Sequence, residues 1–64
     1  MIDDYIIFKS QDGCEWGLTT IAGWDDNPCH WKDSDDEDMI VIARLYGIGW
    51  ETANAVKEAL IEGE

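Results

Sequence analysis

Met39-Ile40-Val41-Ile42-Ala43-Arg44-Leu45-Tyr46 is apolar nearly all round, with Arg44 as its only base. A run of that kind reads as a buried helix. Gly47-Ile48-Gly49 interrupts it. Trp50 to Ile61 then resumes a helical period, with Ala53, Val56 and Leu60 on one face. Glu51, Asn54, Lys57 and Glu58 fall largely on the other face. Just upstream, Asp33-Ser34-Asp35-Asp36-Glu37-Asp38 has the features of a helix start. Ser34 and Glu37 have capping-box spacing, and acids in a first turn suit the positive end of the helix dipole. This half of the chain is thus expected to form two helices meeting at a tight turn.

The other half reads as sheet. Tyr5-Ile6-Ile7-Phe8-Lys9 favours a strand. Asp12-Gly13, within Ser10-Gln11-Asp12-Gly13, is a turn signal because both residues tolerate positive φ. Cys14 to Ala22 reads as the returning strand, with Cys14, Trp16, Leu18 and Thr20 on one face. Gly23 to Lys32 has no period. Asp25-Asp26-Asn27-Pro28 reads as a loop, and Cys29 to Lys32 as a short third strand. The expected class is α+β: an N-terminal antiparallel β-hairpin packed on two C-terminal helices, in a single domain over 1–64.

At 64 residues the chain is short of core. Trp16, Trp24, Trp31, Trp50, Tyr5, Tyr46 and Phe8 supply large apolar surfaces to compensate. Fifteen acids stand against four bases, a net charge of −11. Such a charge destabilises a compact state by self-repulsion and repels phosphates. Direct binding of nucleic acid or of an anionic membrane is therefore not expected. Met1-Ile2-Asp3-Asp4 lacks a basic, apolar leader pattern, and no apolar run reaches bilayer length. A cytoplasmic protein with reduced Cys14 and Cys29 is expected, in the host cell if the chain is phage-encoded.

Leu45-Tyr46-Gly47-Ile48-Gly49-Trp50-Glu51 resembles the turn of the helix-hairpin-helix family. That resemblance implies backbone amides at Gly47, Gly49, Trp50 and Glu51 holding a DNA phosphate, as a helix start can. Tyr46 stands where the family usually has proline, and Trp50-Glu51 where it usually has a base. Ala43, Gly47 and Val56 also fit helix-turn-helix spacing, with Glu51 to Glu58 as the reading helix. Its exposed face carries more acid than base, which suits the major groove poorly.

Cys14, Cys29 and His30 give at most three ligands where structural zinc usually takes four, so no metal or other cofactor is expected. Asp33, Asp35 and Glu37 alternate like calcium ligands. The loop's glycine and final glutamate are replaced by Asp38 and Arg44, which removes an EF-hand. His30 is the only histidine and no nucleophile signature surrounds a serine or cysteine, so catalysis is not expected.

The acids are concentrated. Asp25, Asp26, Asp33, Asp35, Asp36, Glu37 and Asp38 fall in one fourteen-residue stretch that holds Trp31 and directly follows Trp24. Aromatics serve as interface anchors while charges steer encounter. These nine residues form the expected partner-binding site, its carboxylates standing in for phosphates on a basic surface. In size, charge and layout the chain resembles small acidic phage-encoded inhibitors of the anti-CRISPR and DNA-mimic type. That resemblance implies a nucleic-acid-binding host protein as partner, such as a CRISPR effector, and assigns no residues. A small DNA-binding regulator and an accessory subunit of a larger assembly are the alternatives. The aromatic content is also compatible with a homodimer.

Overall fold

The computed structural model describes residues 2–26, 32 and 37–63. Within them the order is β1 (Ile2–Lys9), β2 (Trp16–Thr20), α1 (Ile21–Asp26), β3 (Ile40–Gly49) and α2 (Trp50–Glu62). The strands form one antiparallel sheet in the order β2-β1-β3, so the class is mixed α+β.

β1 and β2 pair with Tyr5 opposite Thr20, Ile7 opposite Leu18, Phe8 opposite Gly17 and Lys9 opposite Trp16. The intervening turn is tied down by its own groups. Gly13, at φ +79°, donates its N–H to the Ser10 carbonyl at 3.0 Å. The Ser10 N–H donates to the Glu15 carbonyl at 2.7 Å. The Ser10 side chain is fully buried; its hydroxyl donates to Asp12 Oδ1 and accepts from the Glu15 N–H at 3.0 Å. Lys9 Nζ lies 5.4 Å from the Trp16 ring centre, a cation–π contact across the pair.

The second strand is shorter than the 14–22 expected. Thr20 Oγ1 accepts the Gly23 N–H at 3.0 Å, the geometry of a helix N-cap, and Ile21 and Ala22 pass into α1. Asp25 and Asp26 belong to the end of this helix rather than to a loop. Asn27, Pro28 and residues 29–31 lie outside the described residues. Lys32 makes an isolated antiparallel bridge to Asp38.

The larger correction concerns 40–49. The segment expected to be the first of two C-terminal helices is β3. Ile40, Val41 and Ile42 are β-branched, with stiff side chains that pack well on a pleated sheet. A short apolar run fits a buried strand as well as a buried helix, and here its length is that of a strand. No helix begins at Glu37, which is followed by Asp38 and β3, so it caps none; Ser34 is outside the described residues. α2 forms as expected and extends to Glu62.

β3 slips register twice against β1. Asp3 faces Ile48 and Tyr5 faces Leu45, which leaves Tyr46 and Gly47 against Asp4. Gly47 takes φ +66°, a left-handed value that suits glycine at such a bulge. The second slip leaves Ile42 between the Ile7–Ala43 and Phe8–Val41 pairs.

Tyr5, Ile6, Ile7 and Phe8 are all buried. Successive strand residues point to opposite faces, so β1 is covered on both. Trp24 of α1 lies on Phe8, with ring centres 5.1 Å apart, which places α1 on the Ile6/Phe8 face. α2 contacts all three strands, and its Ala53 is fully buried. On β3, Ala43 and Leu45, which pair with Ile7 and Tyr5, are half-buried under α2, so α2 covers the Tyr5/Ile7 face; Val41 pairs with Phe8 and is half-buried, while Ile40, Ile42, Arg44 and Tyr46 are exposed.

Candidate partner-binding surface

Of the nine residues expected to form the site, five are described. Trp24, Asp25 and Asp26 lie in α1, and Glu37 and Asp38 precede β3. Trp31, Asp33, Asp35 and Asp36 lie outside the described residues.

Trp24 is half-buried, with part of its ring committed to Phe8. It is therefore a core residue as well as a candidate anchor. Asp25 and Asp26 are exposed at the C-terminal end of α1. That is the negative end of a helix, where carboxylates are locally unfavourable. Glu37 and Asp38 are also exposed, and no helix follows for them to cap. Asp38 Oδ1 pairs with Lys32 Nζ at 2.6 Å, and both side chains are exposed. Such a pair contributes little to stability. Helix capping therefore accounts for none of these four acids.

The fold adds acids that the sequence reading did not place here. The Gln11 side-chain amide donates to the Asp38 carbonyl at 3.2 Å, and Lys9 pairs with Ile40. These contacts bring the Ser10–Glu15 turn beside Glu37 and Asp38. The turn carries exposed Asp12 and Glu15. α1 follows its cap Thr20 and turns Trp24 onto Phe8, with Asp25 and Asp26 exposed just beyond. Two chain segments thus deliver Asp12, Glu15, Glu37 and Asp38 to one end of the sheet, while Asp25 and Asp26 stand exposed at the end of α1. The turn signal at Asp12-Gly13 was legible, but its position beside Asp38 depends on β3 being a strand.

Asp12 titrates below the ordinary aspartate value of 3.8. The Ser10 hydroxyl is the main cause, followed by the Cys14 N–H, which donates to Asp12 Oδ1 at 3.0 Å. Both bonds favour the ionised carboxylate. Cys14 is a free, exposed thiol, while Cys29 and His30 lie outside the described residues.

The Gly47-Ile48-Gly49 turn differs from the helix-hairpin-helix arrangement in two respects. It joins strand β3 to α2, not two helices. In addition, the Gly47 N–H donates to Asp4 Oδ1 at 2.8 Å. An amide that the resemblance assigns to a phosphate is already bonded to a carboxylate of this chain. Gly49, the N-cap of α2, provides no side-chain cap, and Glu51 in the first turn occupies the favourable position for an acid. The helix-turn-helix reading fails for the same reason, since Ala43 lies in a strand.

No helix among the described residues is long and apolar enough to cross a membrane. In comparisons with known proteins, no family, no curated protein and no solved structure matches this chain.

Proposed function

We propose that this protein is a binding protein rather than a catalyst, and that its acidic end occupies a basic, nucleic-acid-binding surface of another protein as an inhibitor. The observation that carries the reading is the convergence of exposed carboxylates from the Ser10–Glu15 turn and Glu37-Asp38, with further exposed acids at the end of α1. Lys9 and Lys32, two of the chain's four bases, lie at this end, and the acids there outnumber them. Carboxylates at several spacings match the donors of a Lys/Arg groove that normally holds phosphates. Phage origin and a CRISPR effector as target belong to this same reading. The DNA-binding alternative is disfavoured by the Asp4 carboxylate at Gly47.

Competition tests the proposal. The immobilised protein is exposed to a bacterial lysate, and the retained proteins are challenged with duplex DNA. Retained proteins that bind nucleic acid and are displaced by DNA support the reading. Retention that DNA does not disturb contradicts it, because the acidic end would then not share a site with phosphates.

A further inference from the structure

The large exposed hydrophobic residues described in this chain lie in one band. They are Ile40, Ile42 and Tyr46 on β3, Trp50 directly after it, and Ile2, which pairs with Gly49 at the end of β3. Their exposures are 42%, 36%, 64%, 55% and 75%. Among the described residues β3 is an edge strand, and its ten residues contain no acid and one base, Arg44. Edge strands are normally guarded by charge or covered, because they offer unpaired backbone groups to another strand.

We propose that β3 is a self-association surface, pairing antiparallel with β3 of a second copy to give a continuous six-stranded sheet. Area is the first argument. With large aromatics at about 150–250 Å² each, the exposed band amounts to roughly 400–500 Å² of apolar surface. A standard interface takes about 800 Å² from each partner, and in homodimers about 65% of it is apolar. The band is therefore close to the apolar share that a dimer needs.

Charge placement is the second argument. The acidic end of the sheet lies at the Ile40 end of β3. A two-fold antiparallel pair sends the two acidic ends in opposite directions, separated by about the length of a ten-residue strand, ~33 Å. That distance is several times the Debye length of about 8 Å at physiological salt. The other edge, β2, has five residues, so the same arrangement there would hold the acidic ends only about 17 Å apart. Asp3, Asp4 and Glu51 flank the far end of β3, so some repulsion remains. Self-association should consequently strengthen with salt, whereas binding of a basic partner weakens.

Sedimentation velocity of the purified chain over a range of concentrations and salt tests this, together with amide exchange of Ile42 to Tyr46. A monomer–dimer equilibrium that salt shifts toward dimer, with exchange of those amides slowing as concentration rises, is the expected result. Ile42→Lys and Tyr46→Lys should each weaken the dimer by about tenfold or more. Circular dichroism identifies a variant that has lost its fold, and the other variant then carries the test. A chain that stays monomeric throughout overturns the proposal and leaves the band to an unlike partner. So does a dimer that a folded variant leaves intact, or one in which the β3 amides gain no protection.

Discussion

Phe8 and Gly17 face each other across β1 and β2, and the Phe8 ring lies so close over Gly17 that a Cβ there would overlap it. The ring fills the space that the glycine leaves, and Trp24 of α1 packs against the same ring. A single cross-strand pair thus sets both the close approach within the sheet and the seat of the first helix. Gly17→Ala should cost about 1–3 kcal/mol through overpacking. It would appear as a lower urea midpoint with an unchanged slope. In a Phe8→Leu background the cost of the added methyl should shrink, because the obstructing ring is gone.

Trp24 tests whether that seat matters to folding. Trp24→Ala removes a half-buried aromatic from Phe8 and should destabilise the chain by about 2 kcal/mol. Trp24→Phe should recover part of the loss. If Trp24→Ala keeps the wild-type unfolding midpoint, the Phe8 contact contributes nothing and Trp24 serves only the surface.

Legibility varied with how uniquely each segment's pattern maps to structure. The β1–β2 pairing could be read because Asp12-Gly13 marks a turn between two β-favouring runs. α2 could be read because Ala53, Val56 and Leu60 recur at helical spacing. β3 could not, because Ile40, Ile42 and Tyr46 are exposed yet apolar and erase the alternation that marks a half-buried strand. α1 was missed because it is six residues long and contains Gly23; Thr20, its cap, was the available signal. The acidic stretch was visible in the sequence, but its junction with Asp12 and Glu15 follows only once β3 is placed beside β1.

The bulge at Gly47 depends on two independent features. Its φ of +66° is costly for an L side chain, yet no atom lies within 4 Å of a Cβ there. Gly47→Ala should therefore cost roughly 1–2 kcal/mol from the backbone alone, with Gly47→Asn costing less. Asp4→Ala removes the acceptor at 2.8 Å from the Gly47 N–H and should cost about 1 kcal/mol. Thermal unfolding of the three variants checks the order. An alanine as stable as the wild type would show that the left-handed conformation is not needed.

Asp12 predicts part of the acid response. Its folded carboxyl titrates below 3.8, chiefly because the Ser10 hydroxyl donates to it. A depressed folded value means that its contribution is complete above 3.8 and is lost as pH falls through the lowered value. The stability difference between wild type and Asp12→Asn should be largest near neutral pH and fade in acid. Denaturant titrations over that pH range provide the measurement. A difference that stays constant with pH would mean that the carboxylate's charge is irrelevant to the turn.

The central claim is that the clustered carboxylates recognise a basic protein surface. The most direct measurement is partner retention from lysate at rising salt, for the wild type and for a variant carrying Asp25→Asn, Asp26→Asn, Glu37→Gln and Asp38→Asn. The wild type should lose its partners as salt screens the charges, and the folded variant should retain little even at low salt. Equal retention by both proteins, independent of salt, would contradict it.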